Sequence, residues 1–334
     1  MTNVLVSVII PTYNRIAVLE KCLKSVLNQT IAPETYEIII VDDCSTDDTM
    51  AACREYIRAN SNIVYLRNET NKGSATTRNN GILAAKGQLL LFLDNDLIIQ
   101  PDFIEQHIRC HESNRFGDIV VLSDICYAPE YLKTTNYGRF IQSRAIGYRK
   151  PGDSGKLDLT NLPGNYFAGG GSSCGREQVI KNGMFNATLK RYGCEDELFG
   201  YYFVKNGGRI VYEPKARLIH DDPNIGPAFW KRKYVEMGRY SLNEIYERER
   251  DFFENSNYRY LAPPSFKSDS FRIIVLKLIV SIISKGIFRV PLERLVFATD
   301  TKSNWYFEPL YLYITLAWMK YGFSTQQTIE KVVY

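Results

Sequence analysis

Three short apolar runs, each ending abruptly in polar or acidic residues, set the tightest limit on what this chain can fold into. Val6 to Ile10, Glu37 to Val41 and Gln88 to Leu93 are rich in β-branched residues or leucine. That is the pattern of strands covered on both faces. Between the first two, Ala17, Leu19, Cys22, Leu23, Val26 and Leu27 recur at helical spacing. Between the second and third, Ser45 followed by Asp47, Asp48 and Thr49 reads as a helix start, with acidic groups near the positive end of the helix dipole. Ile63 to Leu66 reads as a further strand, Asn71-Lys72-Gly73 as a turn, and Ala75 to Ala85 as a helix that stops before Gly87. This strand-helix rhythm over residues 4 to 93 predicts an α/β fold around a mostly parallel sheet flanked by helices.

The rhythm then fades. Residues 114 to 175 are rich in Gly, Tyr, Asn and Pro and read as pocket-shaping loops. Order returns with a helix from Arg176 to Asn182, a second from Asp196 to Lys205 closed by Asn206-Gly207-Gly208, and a strand from Arg209 to Tyr212. From Phe229 onward the pattern is helical and rich in aromatics. The expected division is a main domain over 1–225, in halves 1–113 and 114–225, and a C-terminal helical extension over 226–334.

Composition narrows the function classes. Of 334 residues, 41 are basic and 37 acidic, a net charge of +4 that gives no reason to expect a nucleic-acid partner. The seven cysteines are scattered without a CxxC pair, as for reduced thiols, and the chain opens on a strand pattern rather than a signal peptide. A cytoplasmic protein is expected. The apolar stretches Ile273 to Ser284 and Leu310 to Met319 are shorter than the roughly 20 residues that cross a bilayer. They read first as core helices. Lys277, Lys285 and Arg289 also leave open a peripheral contact of residues 271–289 with the inner face of a membrane. Trp230, Tyr234, Tyr240, Trp305, Tyr306 and Tyr311 suit core packing, a homo-oligomer interface or stacking on an acceptor, with packing favoured.

Ligands of open parallel sheets gather outside the carboxyl ends of the strands. Here those ends carry Pro11-Thr12-Tyr13-Asn14-Arg15, Asp42-Asp43 and Asp94-Asn95-Asp96. Four carboxylates crowded on one rim repel one another and call for hydrogen-bond donors or a cation. Asp94 and Asp96 supply hard oxygens suited to Mg²⁺ or Mn²⁺ shared with phosphate. His107 and His111 are spaced to clamp zinc on a helix but lack a third ligand, so that use is set aside.

Taken in order and spacing, these segments resemble family 2 of the GT-A glycosyltransferases: Val6 to Arg15, Ile40 to Thr49, Asn71-Lys72-Gly73 to Arg78-Asn79-Asn80-Gly81, and Phe92 to Asp96. The resemblance continues through Ala168-Gly169-Gly170-Gly171-Ser172-Ser173, Tyr192 to Gly200, and Ile210 to Pro214 followed by His220. It departs from the family at Cys44, where glycine is usual and the change is expected to be harmless, and at Gly171, where asparagine is frequent.

The resemblance implies an inverting transfer of a hexosyl or N-acetylhexosaminyl group from a UDP-sugar to an acceptor hydroxyl on a glycan, lipid-linked or peptide acceptor. Pro11, Tyr13 and Asp43 are implied to hold the nucleobase, and Arg78 to reach the donor diphosphate, with a surface salt bridge as the other reading of the arginine. Arg15, Asp42, Gly73, Asp94 and Asn95 complete the donor side, with a helix cap as the other reading of Asp42. Asp96 and His220 are implied to hold Mn²⁺ or Mg²⁺, with a hydrogen-bonded structural role as the other reading of the histidine. Asp196 is implied to be the general base, with a helix-dipole partnership as the other reading of that residue, and Gly170, Gly171 and Glu195 the acceptor side. The rival classes are a sugar nucleotidyltransferase, weakened by the lack of a Gly-rich triphosphate loop, and a silent sugar-binding protein.

Overall fold

The structure is a computed structural model that describes residues 4–145, 157–302 and 305–325. Its first part follows the rhythm of the sequence: β1 (Val6–Thr12), α1 (Ile16–Leu27), β2 (Tyr36–Asp42), α2 (Thr49–Ala59), β3 (Ile63–Arg67), α3 (Ser74–Ala84) and β4 (Leu89–Phe92). The apolar runs are unbroken because each strand feeds two cores. Val6, Val8, Ile10, Ile38, Ile40, Leu89 and Leu91 pack on one side with Leu19, Leu23 and Val26 of α1. Ile9, Ile39, Val41, Leu90 and Phe92 pack on the other with Ala75 and Ile82 of α3. Successive side chains point to opposite faces, so a strand sandwiched between helices must be apolar throughout.

The chain continues through β5 (Leu97–Ile99), α4 (Phe103–Ser113), β6 (Ile119–Tyr127), α5 (Pro129–Leu132), α6 (Asn136–Arg144), β7 (Ser172–Gly175), α7 (Arg176–Lys181), α8 (Glu195–Lys205) and β8 (Arg209–His220). Among the described residues the eight strands form one sheet in the order β3-β2-β1-β4-β7-β6-β8-β5. β7 runs antiparallel to β4 and β6, and β5 antiparallel to β8, while the other pairings are parallel.

Two expectations need correction here. The stretch 114–175, read as loops, contains β6, α5, α6 and β7. The polar Ser123 and Asp124 in mid-strand hid β6, which is buried on both faces before them. The strand expected to stop at Tyr212 runs on to His220. Pro214 suggested a stop, but the register with β6 shifts after Glu213 and resumes at Arg217, and a bulge is where a strand tolerates proline.

α9 (Pro227–Arg239), α10 (Ser241–Arg248), α11 (Arg250–Asn255), α12 (Phe271–Ile283), α13 (Gly286–Thr299) and α14 (Glu308–Ser324) follow. The chain forms two compact units. One takes Met1–Ala128, Gln142–Lys190 and Glu195–Asp222, and the other Pro129–Ile141, Arg191–Cys194 and Pro223–Tyr334. The core of the second is aromatic: Tyr137, Phe140, Tyr311 and Trp318 with Trp230, Tyr234 and Tyr306 against them. Four of the six tail aromatics therefore pack inside, whereas Tyr240 and Trp305 are exposed. Among the described residues no helix is long and apolar enough to cross a membrane, and none of the seven cysteines is in a disulfide.

The histidine pair on α4 is part of this framework. His107 bonds the hydroxyls of Ser173 and Ser123, and His111 bonds Ser173, all at 2.8–2.9 Å. Burial lowers His107 to about 3 and His111 to about 4, so both are neutral in the fold. Unfolding restores the ordinary value near 6.5 and takes up protons below it, so this contribution to stability is present above pH 6.5 and is lost as pH falls toward 4. We expect a melting-temperature series to show His107→Gln with a shallower acid decline than the unsubstituted chain, by about 1.4 kcal/mol per pH unit for the one proton removed.

Candidate functional site

The carboxyl ends of β1, β2 and β4 form one rim, and the acidic residues there divide into those the framework takes and those it leaves accessible. Asp42 is fully buried. It accepts from the Ser45 N–H, the Tyr65 hydroxyl and Arg67. Its carboxylate is thus taken up by framework partners, in keeping with the structural reading of this residue. Asp43 pins the turn before α3, accepting from the backbone N–H groups of Lys72 (2.8 Å) and Gly73 (2.9 Å) and from the Asn68 amide (2.8 Å). Gly73 has φ +84°, and an added Cβ would lie 2.7 Å from the Lys190 carbonyl oxygen. No other residue fits that turn without strain. Cys44 has φ +67° without being glycine. The departure expected to be harmless instead carries the cost of a left-handed side chain.

The turn delivers α3 with Arg78 inward. The Arg78 side chain is 5% exposed, with Nη2 2.7 Å from Asp94 Oδ1, Nη1 3.1 Å from Asp196 Oδ1 and Nη1 3.7 Å from Glu195 Oε1. Its guanidinium carbon lies 5.4 Å from the centre of the Phe185 ring, which Phe92 meets edge-on at 5.3 Å. A cation on an aromatic floor is thus ringed by carboxylates. The fork expected to face a diphosphate is occupied from within. The Asp94 side chain is 41% exposed and that of Asp196 28%, so these two present oxygens outward from the pair with Arg78.

Asp196 has a second hold, the Gly169 N–H at 2.8 Å from Oδ2. A Cβ on Gly169 would fall 2.4 Å from Asp196 Oδ1. Glu195 and Asp196 open α8, where the dipole favours negative charge. Burial still raises Asp196, opposed by Arg78. Burial and the adjacent Asp196 charge push Glu195 up to about 7, again against Arg78.

A second cluster forms around Asp96. Arg15 bridges Asp96 Oδ2 (2.9 Å) and Asp222 Oδ2 (2.8 Å), and Lys21 pairs with Asp221 at 2.6 Å. Asp96 Oδ1 is buried without a hydrogen-bond partner, 3.8 Å from His220 Nε2, and the His220 ring packs on Tyr127 at 4.7 Å between centres. Among the described residues no group of three or more His, Cys, Asp or Glu side chains is arranged to hold a metal. The orphaned carboxylate oxygen and the imidazole beside it nevertheless fit one divalent ion as a protein pair, with phosphate and water as further ligands.

Of the other predicted residues, Tyr13 is 44% exposed on the rim beside the half-buried Pro11. The Asn95 amide donates to Thr12 Oγ1 and is buried, so its side chain faces the framework. Gly170 backs onto Asp94, where a Cβ would lie 2.5 Å from Oδ2. Gly171, just before β7, donates to the Phe92 carbonyl and accepts from Ser123, so its backbone is tied to β4 and β6. Sequence reasoning missed Gly169, Asp222 and Asn68. Only the glycine run and the acidic pair after His220 hinted at them.

The sequence model of glycosyl transferase family 2 matches residues 7–180, just over half of the chain. The chain belongs to this family. A 92-residue stretch of this family 2 chain, 27% of its length, is 40% identical to the poly(ribitol-phosphate) beta-glucosyltransferase of Bacillus spizizenii and covers 14% of that protein. It also resembles glycosyltransferase AglE of Haloferax volcanii, at 37% identity over 32% of this chain and 36% of that one. The matched segments thus span less than two thirds of these relatives' length. Among solved structures, mannosyltransferase PcManGT from Pyrobaculum calidifontis, in complex with GDP-Man and Mn²⁺, superposes with a TM-score of 0.61 over 96% of this chain and 88% of its own at 15% identity. That likeness bears out the expected GT-A fold.

The charge balance around Arg78 in this family 2 chain has a measurable consequence. Glu195 holds its proton more tightly folded than unfolded, so its contribution to stability is present below the ordinary value of 4.5 and is lost as pH rises through about 7. Relative to Glu195→Gln, the unsubstituted chain should lose stability between pH 5 and 8, by about 1–3 kcal/mol, in paired chemical denaturation series.

Proposed function

We propose that this chain is an inverting glycosyltransferase that moves a sugar from a UDP-sugar to an acceptor hydroxyl in polysaccharide or glycoconjugate synthesis. One observation carries the reading: two partly exposed carboxylates, Asp94 and Asp196, are held on the same buried guanidinium at the carboxyl edge of the sheet.

Asp196 is the general base. Fixed by Arg78 and the Gly169 N–H, it takes the proton of the acceptor hydroxyl as that oxygen bonds to the anomeric carbon. The bond from that carbon to the donor diphosphate breaks on the opposite face, so the configuration inverts. A base whose affinity for protons is raised by burial suits work near neutral pH. Asp94 holds a hydroxyl of the donor, and its bond to Arg78 sets its distance from Asp196. Tyr13 offers a stacking face for the uracil, with Pro11 and the turn pinned by Asp43 beside it. Glu195, beside Asp196 in the first turn of α8, hydrogen-bonds a hydroxyl on the acceptor side. Mn²⁺ or Mg²⁺ on Asp96 and His220 would neutralise charge on the departing diphosphate.

We expect Asp196→Asn to lower turnover of a UDP-sugar by about 10³-fold or more while the Kd for UDP stays within about threefold. Transfer at the unsubstituted rate would remove Asp196 from the base role.

A further inference from the structure

α12 and α13 follow each other across Ser284-Lys285, and much of their apolar surface faces outward. On α12, Phe271 (83% exposed), Leu278 and Ile282 recur at i, i+7 and i+11. On α13, Ile287 (75% exposed), Val290 and Phe297 recur at i, i+3 and i+10. Each set makes one stripe along its helix. Isolated exposed apolar residues are ordinary, but continuous stripes on consecutive helices mark an interaction surface.

The charges select the partner. Residues 264–302 contain three acids, and all are withdrawn from the surface. Asp269 pairs with the buried Lys277 at 2.8 Å, Glu293 pairs with Lys231 and Arg289, and Asp300 accepts from the Thr135 hydroxyl and the Tyr137 N–H. Lys267, Arg272, Lys285, Arg294 and Lys302 remain exposed. Arg294 lies seven residues after Ile287, within the stripe of α13. The sequence pointed to Lys277, Lys285 and Arg289 as the lipid-facing cations, and only Lys285 is on the surface, because Lys277 and Arg289 are taken by Asp269 and Glu293.

From this arrangement we infer that the outer face of α12 and α13 docks on the surface of an anionic bilayer. A second copy of the chain is a poor occupant, since a two-fold contact through this face would set the five cations against their own copies. Each helix is about 20 Å long, short of a roughly 30 Å hydrocarbon core, so the pair lies in the interface with its apolar stripes in the acyl boundary and its cations among the headgroups. Such a surface would bring the chain to lipid-linked substrates, and it does not depend on the assignment of Asp196.

Co-sedimentation of the full chain with vesicles tests this. Vesicles of phosphatidylcholine with about 30 mol% phosphatidylglycerol should bind at least about tenfold more tightly than phosphatidylcholine alone, and less tightly in about 0.5 M salt. Arg272→Glu/Lys285→Glu/Arg294→Glu and, separately, Phe271→Ser/Ile287→Ser should each lower vesicle binding about tenfold or more without moving the melting temperature, since all five positions are exposed. Equal binding to neutral and anionic vesicles, or no binding, would overturn the inference. So would a dimer, seen by sedimentation velocity without vesicle binding, that the Phe271→Ser/Ile287→Ser pair dissociates.

Discussion

The Arg78 guanidinium holds the candidate site together. One fixed positive charge lies within 3.7 Å of three carboxylates from two distant stretches of sequence, on the face of Phe185. Charges about 4 Å apart interact by roughly 4 kcal/mol at the effective dielectric of a protein. The carboxylates therefore settle around Arg78 rather than repelling one another out of the cleft. Burial raises the affinity of Glu195 and Asp196 for protons, and because a single cation does not neutralise three anions, the neighbouring carboxylates add to that rise against the pull of Arg78.

The rest of the site is placed through this residue. Asp43 ties down the Lys72-Gly73 turn, the turn starts α3, and α3 carries Arg78 beneath the rim. Asp94 arrives from the end of β4, and Asp196 from the first turn of α8. The Gly169 N–H gives Asp196 a second anchor and leaves no room for a side chain. Arg15 plays a comparable role for Asp96 and Asp222. The two clusters differ: Arg78 is buried and ties the accessible Asp94 and Asp196, with the buried Glu195 3.7 Å away, whereas Arg15 is partly exposed and its two acids are buried.

Much of this was legible in the sequence because burial on both faces leaves a plain signature. The alternate packing of Ile9 and Ile10 into opposite cores requires an unbroken apolar run, so β1, β2 and β4 could be read, and with them the acidic residues that follow. The partners of those acids could not. Asp42 and Asp43 look alike in sequence, but one closes on Ser45, Tyr65 and Arg67 and the other on the turn at Gly73. Arg78 and Asp196 are 118 residues apart, and no local periodicity reports such a contact. β6 escaped notice because Ser123 turns into the fold to bond His107 and Gly171, a tertiary use of a polar residue that reads as a loop.

The most direct measurement compares Arg78→Lys with the unsubstituted chain in the pH dependence of transfer and in affinity for UDP. An ammonium cannot hold Asp94 and Asp196 together with the geometry of a planar fork. If Arg78 positions the carboxylates, kcat should fall by about 10²-fold or more, the acid limb of the kcat/KM profile should move to higher pH, and UDP affinity should change by less than about threefold. A loss of UDP affinity beyond about tenfold with the acid limb unmoved would contradict the account and place Arg78 on the donor diphosphate instead.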